Sequence, residues 1–247
     1  MLKSIYLGFK LAFSHFSILP IPFKESDKLS QKEVLNAMLF SLPFVGLVLG
    51  VISVVLFSLL SSLGWYGAVI SALLYMILYG FIHTEAVIDV ADAIYASHSG
   101  KDAYKIIKEP TVGAMGVLYG IAITLLKVSG VTFLLINNLL LEFISVLIIS
   151  RLSILILFRV HTFKSSFATE LKASLSNGYL TVSILLFTAI GSLLTLEFIF
   201  LAIEGLLLAL IISYGIKLKI GFVNGDVLGA TLEGVEITLF LLVALLM

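Results

Sequence analysis

The stretch whose reading decides the fold is GAVISALLYMILYGFIHTEAVIDVADAIYASH, residues 67–98. Its first half is an apolar run suited to lipid, and its second half carries Glu85, Asp89 and Asp92. A membrane-spanning helix needs about 20 mostly apolar residues, so a span is predicted over residues 66–88. An acid at mid-membrane costs roughly 2.5–3.5 kcal/mol on insertion scales. Three acids facing lipid would cost several times that, so they are expected to face a wet cavity, a partner or a metal. Asp89 and Asp92 lie four and seven residues beyond Glu85, which puts all three on one helical face. His83 immediately precedes them.

The rest of the chain supports a membrane reading. Of 247 residues, 60% are hydrophobic and 12% charged, against about 45–50% and roughly 25% in soluble domains. Net charge is zero and the basic residues sit in short scattered loops, so nucleic acid is excluded as a target. There is no cysteine, which removes disulfides, thiol catalysis and Cys-based metal sites.

Apolar runs at 38–62, 66–88, 112–135, 139–158, 179–195, 197–216 and 227–247 predict about seven spans. Asn137 and Asn138 supply only a weak break between the third and fourth. The N-terminal residues leave one side more apolar than the other and predict an interfacial helix, which ILPIP (18–22) ends. Ser30-Gln31-Lys32-Glu33 reads as a capping box opening a new helix. The fold class is therefore an all-α polytopic membrane helix bundle, one domain over residues 1–247.

Lysine and arginine fall in alternate loops: Lys3 to Lys32, Lys101 to Lys108, Arg159 to Lys172, and Lys217 with Lys219. The intervening loops, around SSLGW, INN and TLE, hold none. The positive-inside rule puts the basic loops in the cytoplasm, and with them the acids of residues 85–92. Lys127 lies inside a span and must snorkel or find a partner.

A second acidic group, Asp226, Glu233 and Glu236, occupies the last span in GFVNGDVLGATLEGVEI. The spacing places these acids close to one helical face, starting from the cytoplasmic side. Arg151 and Lys127 are the only basic residues inside spans, too few to neutralise both groups. An oxygen-rich site for Mg²⁺, with Mn²⁺ as a substitute, is expected where the groups converge. The loop GKDAYKIIKEPTVGAMG (100–116) adds Lys105 and Lys108 as a positive lip for a phosphorylated substrate. Arg151 is expected either to grip a phosphate in a bidentate fork or to pair with one of the acids. Glycines around Asp226, and Gly113 with Gly116, suit close approach of backbone or phosphate, or helix packing. Two functional classes survive: a phosphotransferase, and a cation-coupled transporter using the same carboxylates.

Three segments resemble the cobalamin-5′-phosphate synthases (adenosylcobinamide-GDP ribazoletransferases). IHTEAVIDVADAIYASHSGKDAYKIIKEPTVGAMGVL (82–118) looks like the family's HLDGLADTADG, basic loop and IMKDSRIGAFG. IGFVNGDVLGATLEGVEI (220–237) is similar to GGxTGDxLGAxxExxE, and FSILPIP (16–22) to FLTRxPxP. His83, Asp89, Asp92, Lys108, Gly113, Gly116, Gly225, Asp226, Gly229 and Glu236 match. Glu85 stands for the family's aspartate, Ala86 and Ala93 for glycines, and Thr111 for an arginine; Val223 and Asn224 also depart.

The resemblance implies a membrane transferase joining adenosylcobinamide-GDP to α-ribazole or its 5′-phosphate, with GMP released. It implies Mg²⁺ on Glu85, Asp89, Asp92 and Asp226, with Glu85, Asp89 and Asp92 also catalytic. It implies substrate contacts from His83, Lys105, Lys108, Arg151, Gly225 and Glu236. It places the protein in the bacterial cytoplasmic (inner) membrane with its site facing the cytoplasm, the lipid bilayer as a partner, and assembly into a homo-oligomer left open.

Overall fold

The computed structural model describes residues 2–246, which form twelve α-helices and no strand. In chain order these are α1 (Leu2–Phe16), α2 (Lys32–Phe40), α3 (Leu42–Leu60), α4 (Trp65–Leu78), α5 (Ile82–His98), α6 (Ala103–Ile106) and α7 (Ala114–Ile136). There follow α8 (Leu140–Val160), α9 (Ser166–Ser174), α10 (Asn177–Leu194), α11 (Phe198–Ile220) and α12 (Gly225–Leu246). Six of them, α3, α7, α8, α10, α11 and α12, are long and apolar enough to cross a membrane, and α4 with α5 makes a bent seventh candidate. Leu59, Leu185, Leu193, Ile211 and Leu218 are exposed on the outside of the bundle, as expected where lipid is the solvent. The chain is a polytopic helical membrane protein.

α8 is the central post, with nearly every residue from Phe143 to Phe158 buried. α3, α11 and α12 pack around it, and α5 lies against α12 and α7. The first predicted span starts later than expected, at α3, because Pro43 sits in its first turn, where a missing amide donor costs nothing. The capping box at Ser30 does not form. Gln31 is the N-cap of α2 and makes no side-chain cap bond. The weak break at Asn137-Asn138 is a true turn, with Asn138 at φ 58°, a conformation asparagine tolerates better than most residues.

The largest departure concerns the opening stretch. Residues 66–88 are not one continuous helix, for the helix breaks after Leu78 and α5 sets off at 76° to α4. Gly80 (φ 66°) and Phe81 (φ 55°) carry the turn. Glycine takes that conformation freely, whereas phenylalanine does so at a cost. At 14 residues, α4 extends about 21 Å, short of the ~30 Å hydrocarbon layer. Glu85, Asp89 and Asp92 thus lie on a separate helix, packed against α12 and α7.

The basic loops meet at one end. The Lys164 amide donates to Val223 O at 2.8 Å, and the Tyr104 and Phe222 rings pack edge to face at 5.3 Å. His15 of α1 meets Phe167 of α9 at 5.5 Å.

Candidate active site

The six acids expected to converge divide into two groups. Glu233 and Glu236 point into the bundle and are fully buried, with Lys127 equally buried between them. Lys127 Nζ pairs with Glu233 and lies 2.6 Å from Glu236 Oε2. Arg151 pairs with the other oxygen of Glu236. Hydroxyls complete the shell. Tyr75 donates to Glu236 (2.8 Å), and Ser150 also donates to it (2.9 Å). Tyr79 (2.7 Å) and Thr84 (2.8 Å) donate to Glu233. Two cations offset two anions, and every carboxylate oxygen is engaged, the condition under which a buried charge cluster is tolerated.

This corrects the reading of the last span. Asp226, Glu233 and Glu236 are not one cluster, because Glu236 is held by Arg151 and Lys127 in the interior. Lys127 does not snorkel. Of the two roles weighed for Arg151, the structure shows the pairing, with Nη1 bonded to Glu236, Ser150 Oγ (3.0 Å) and Leu147 O (3.1 Å). Tyr75, Tyr79, Thr84 and Ser150 were not legible as members. Their one sequence signal is polar side chains inside otherwise apolar runs.

The second group, Glu85, Asp89, Asp92 and Asp226, makes no ion pair among the described residues. Asp89 lies within electrostatic reach of Asp226, Glu85 and Asp92. Glu85 is exposed, while Asp89, Asp92 and Asp226 are half-buried. No three acids or histidines among the described residues close to metal-ligand spacing.

Asp92 has a defined task. Its two oxygens accept the amides of Gly113 (2.6 Å) and Gly116 (2.7 Å) at the start of α7, where orphan amides and the helix dipole favour an anion. A Cβ on either glycine would run into this carboxylate. Both positions are therefore small so that Asp92 can approach. At the head of α12, Asn224 accepts the Val227 amide (3.1 Å), capping the helix, and donates to Asp226 Oδ2 (2.6 Å). The departure from the family pattern at Asn224 thus fixes the orientation of Asp226. Ala86 packs on Gly229, where an added Cβ would sit 2.7 Å from the Ala86 methyl.

Beside these acids a cavity of about 210 Å³ opens between α1, α3, α5, α8, α9 and α12. Its walls are mostly apolar, with His83, Arg151, Gly225 and Asp226 among the lining residues. Lys105 and Lys108 are exposed on the adjoining segment. Lys108 sits 4.2 Å from the centre of the Tyr104 ring, and Lys164 lies 4.2 Å from the same ring. Lys164 was not among the expected site residues; the loop pairing that brings it there is long-range.

Fold and site together define a polytopic membrane protein with an acidic rim beside a cavity at one end of its bundle. The family model of cobalamin-5-phosphate synthase matches residues 8–245. An adenosylcobinamide-GDP ribazoletransferase of Clostridium perfringens is 26% identical over 259 residues, covering 99% of this chain and 100% of that protein. One from Brevibacillus brevis is 28% identical over 248 residues, covering 95% of this chain and 96% of the relative. A third, from Chlorobium chlorochromatii, is 34% identical over 122 residues, 49% of this chain and 46% of that protein. No solved structure matches the chain. The chain belongs to the cobalamin-5-phosphate synthase family, enzymes of cobalamin synthesis.

Proposed function

We propose that this protein transfers the adenosylcobinamide phosphate of adenosylcobinamide-GDP to α-ribazole or its 5′-phosphate, releasing GMP, at the cytoplasmic face of the bacterial inner membrane. A ribose hydroxyl attacks the phosphorus bonded to cobinamide, the bond to GMP breaks, and one of the α5 carboxylates takes the hydroxyl proton. The observation that carries the reading is the division of the acids. The bundle neutralises Glu233 and Glu236 internally and leaves Glu85, Asp89, Asp92 and Asp226 beside a cavity with no basic partner among the described residues.

The donor set suits Mg²⁺. That ion keeps several waters and is held by one or two carboxylates together with substrate phosphates. Asp89 and Asp226, half-buried and within electrostatic reach of each other, supply such a pair. Mg²⁺, when bound, would neutralise the diphosphate and the departing phosphate. Asp92 then acts by joining α5 to α7, and Lys105 and Lys108 draw in the nucleotide's charge.

The cytoplasmic side is supported by the gathering of the lysine-bearing loops at the same end as the acids. A cation-coupled transporter would use similar acids, but it leaves the family membership and the lysine lip without a role. Purified protein with adenosylcobinamide-GDP, α-ribazole and Mg²⁺ is expected to release GMP, and to stop when Mg²⁺ is chelated. Cation uptake into vesicles without GMP release would establish the transporter instead.

A further inference from the structure

The cavity beside the acidic rim is divided in character. Asp226 and Gly225 stand at the head of α12, and His15, Arg151 and Ser165 also line it, while Phe16, Val45, Phe158, Leu171 and Leu232 make most of the rest apolar. Two imidazoles in it, His15 and His83, make no hydrogen bond among the described residues, and of the two His83 is the buried one. His83 is 6% exposed, lines the cavity, and makes no hydrogen bond among the described residues. Its ring is held in place by Tyr79 on one side (5.5 Å, 28° between planes) and Phe16 on another (6.2 Å, 25°). Its ring nitrogens are not closed off from the cavity, so a ligand atom seated there can bond to the ring.

Resting on the proposed reaction, we infer that this cavity is the subsite for the base of α-ribazole, with His83 donating to the base's one unsubstituted ring nitrogen. Three features select that ligand over the guanine of the other substrate. A benzimidazole riboside has a flat bicyclic base with a single free acceptor, and the cavity offers one buried unpartnered ring, His83, among mostly apolar walls. Guanine has donors and acceptors along its edges, and burying it here would strand most of them. The volume also fits, since a cavity of about 150 Å³ takes up benzene and this one is larger. A base seated inside would leave its ribose toward Asp226 and the neighbouring Asp89, where the attacking hydroxyl is needed. The GDP end of the other substrate then lies outside, on the side of Lys105 and Lys108.

Three variants and three measurements test this. Ala168→Phe, on α9, would fill the cavity, and Phe167→Ala would remove an aromatic side chain that lines it and is 40% exposed. Each is expected to raise the KM for α-ribazole, by ~10-fold or more for Ala168→Phe, with the KM for adenosylcobinamide-GDP unchanged. His83→Phe keeps the stacking and should likewise raise the α-ribazole KM. Calorimetric titration of α-ribazole alone should show binding to the native protein that weakens in Ala168→Phe. The native protein should also prefer α-ribazole to the corresponding adenine riboside. Binding without GMP release would keep the subsite and remove the proposed reaction. GMP release with an α-ribazole KM unmoved by all three substitutions would keep the reaction and overturn the subsite. So would a rise confined to the corrinoid KM, or equal use of the adenine riboside.

Discussion

At the scale of single residues, charges inside the bundle and charges at its rim have opposite duties. Lys127 is fully buried between Glu233 and Glu236, so Lys127→Met leaves Glu236 with Arg151 and Glu233 with no cation. Removing one partner of such a cluster costs about 3–5 kcal/mol. The variant is expected to unfold at clearly lower temperature in detergent, and Lys127→Met with Glu233→Gln should recover much of the loss. Equal melting of the single variant and the native protein would refute a compensated interior. Asp92 is different, since it holds two amides of α7. Asp92→Ala should lower stability by only ~1 kcal/mol, the usual worth of a helix cap, yet sharply reduce turnover because α5 loses its tie. Sequence spacing alone put Asp226, Glu233 and Glu236 on one face. It could not show that Lys127 and Arg151, from two other helices, would reach Glu233 and Glu236 and not Asp226.

Among the elements, α5 decides whether there is a site. Its existence as a helix and its acidic face were legible from the spacing of Glu85, Asp89 and Asp92. The break that detaches it from α4 was not. Gly80 alone is a weak signal inside an apolar run, and Phe81 at positive φ is no sequence signal at all. The turn is held from outside, since Tyr79 and Thr84 on either side of it both donate to Glu233 of α12. Close packing of α5 on α12 depends on Gly229, where a Cβ would press on Ala86. Gly229→Leu is expected to push the helices apart, with GMP release falling at least ~10-fold while membrane insertion persists. Native activity in that variant would show that the spacing of these two helices does not matter.

Taken whole, the molecule is a bundle around α8 whose chemistry is confined to one end. The alternation of basic loops made that polarity legible from sequence. Helix hydropathy gave α7, α8, α10, α11 and α12 nearly as they stand. The cavity was beyond reach, because its walls come from six helices scattered from α1 to α12. The chain has no cysteine, so single cysteines report sidedness without background. Gly100→Cys and Lys219→Cys should both react with a membrane-impermeant maleimide added to inverted vesicles, and Leu196→Cys only from the opposite face. Labelling of Gly100→Cys and Leu196→Cys from the same side would break the proposed topology. The most direct test of the central claim, that acids of α5 and α12 serve one Mg²⁺-dependent phosphate site, is the Mg²⁺ dependence of GMP release in Asp89→Asn and Asp226→Asn. Both variants should remain folded, and each should lose ~100-fold or more in turnover, with any residual activity needing more Mg²⁺. Native turnover at an unchanged Mg²⁺ requirement in either variant would contradict it.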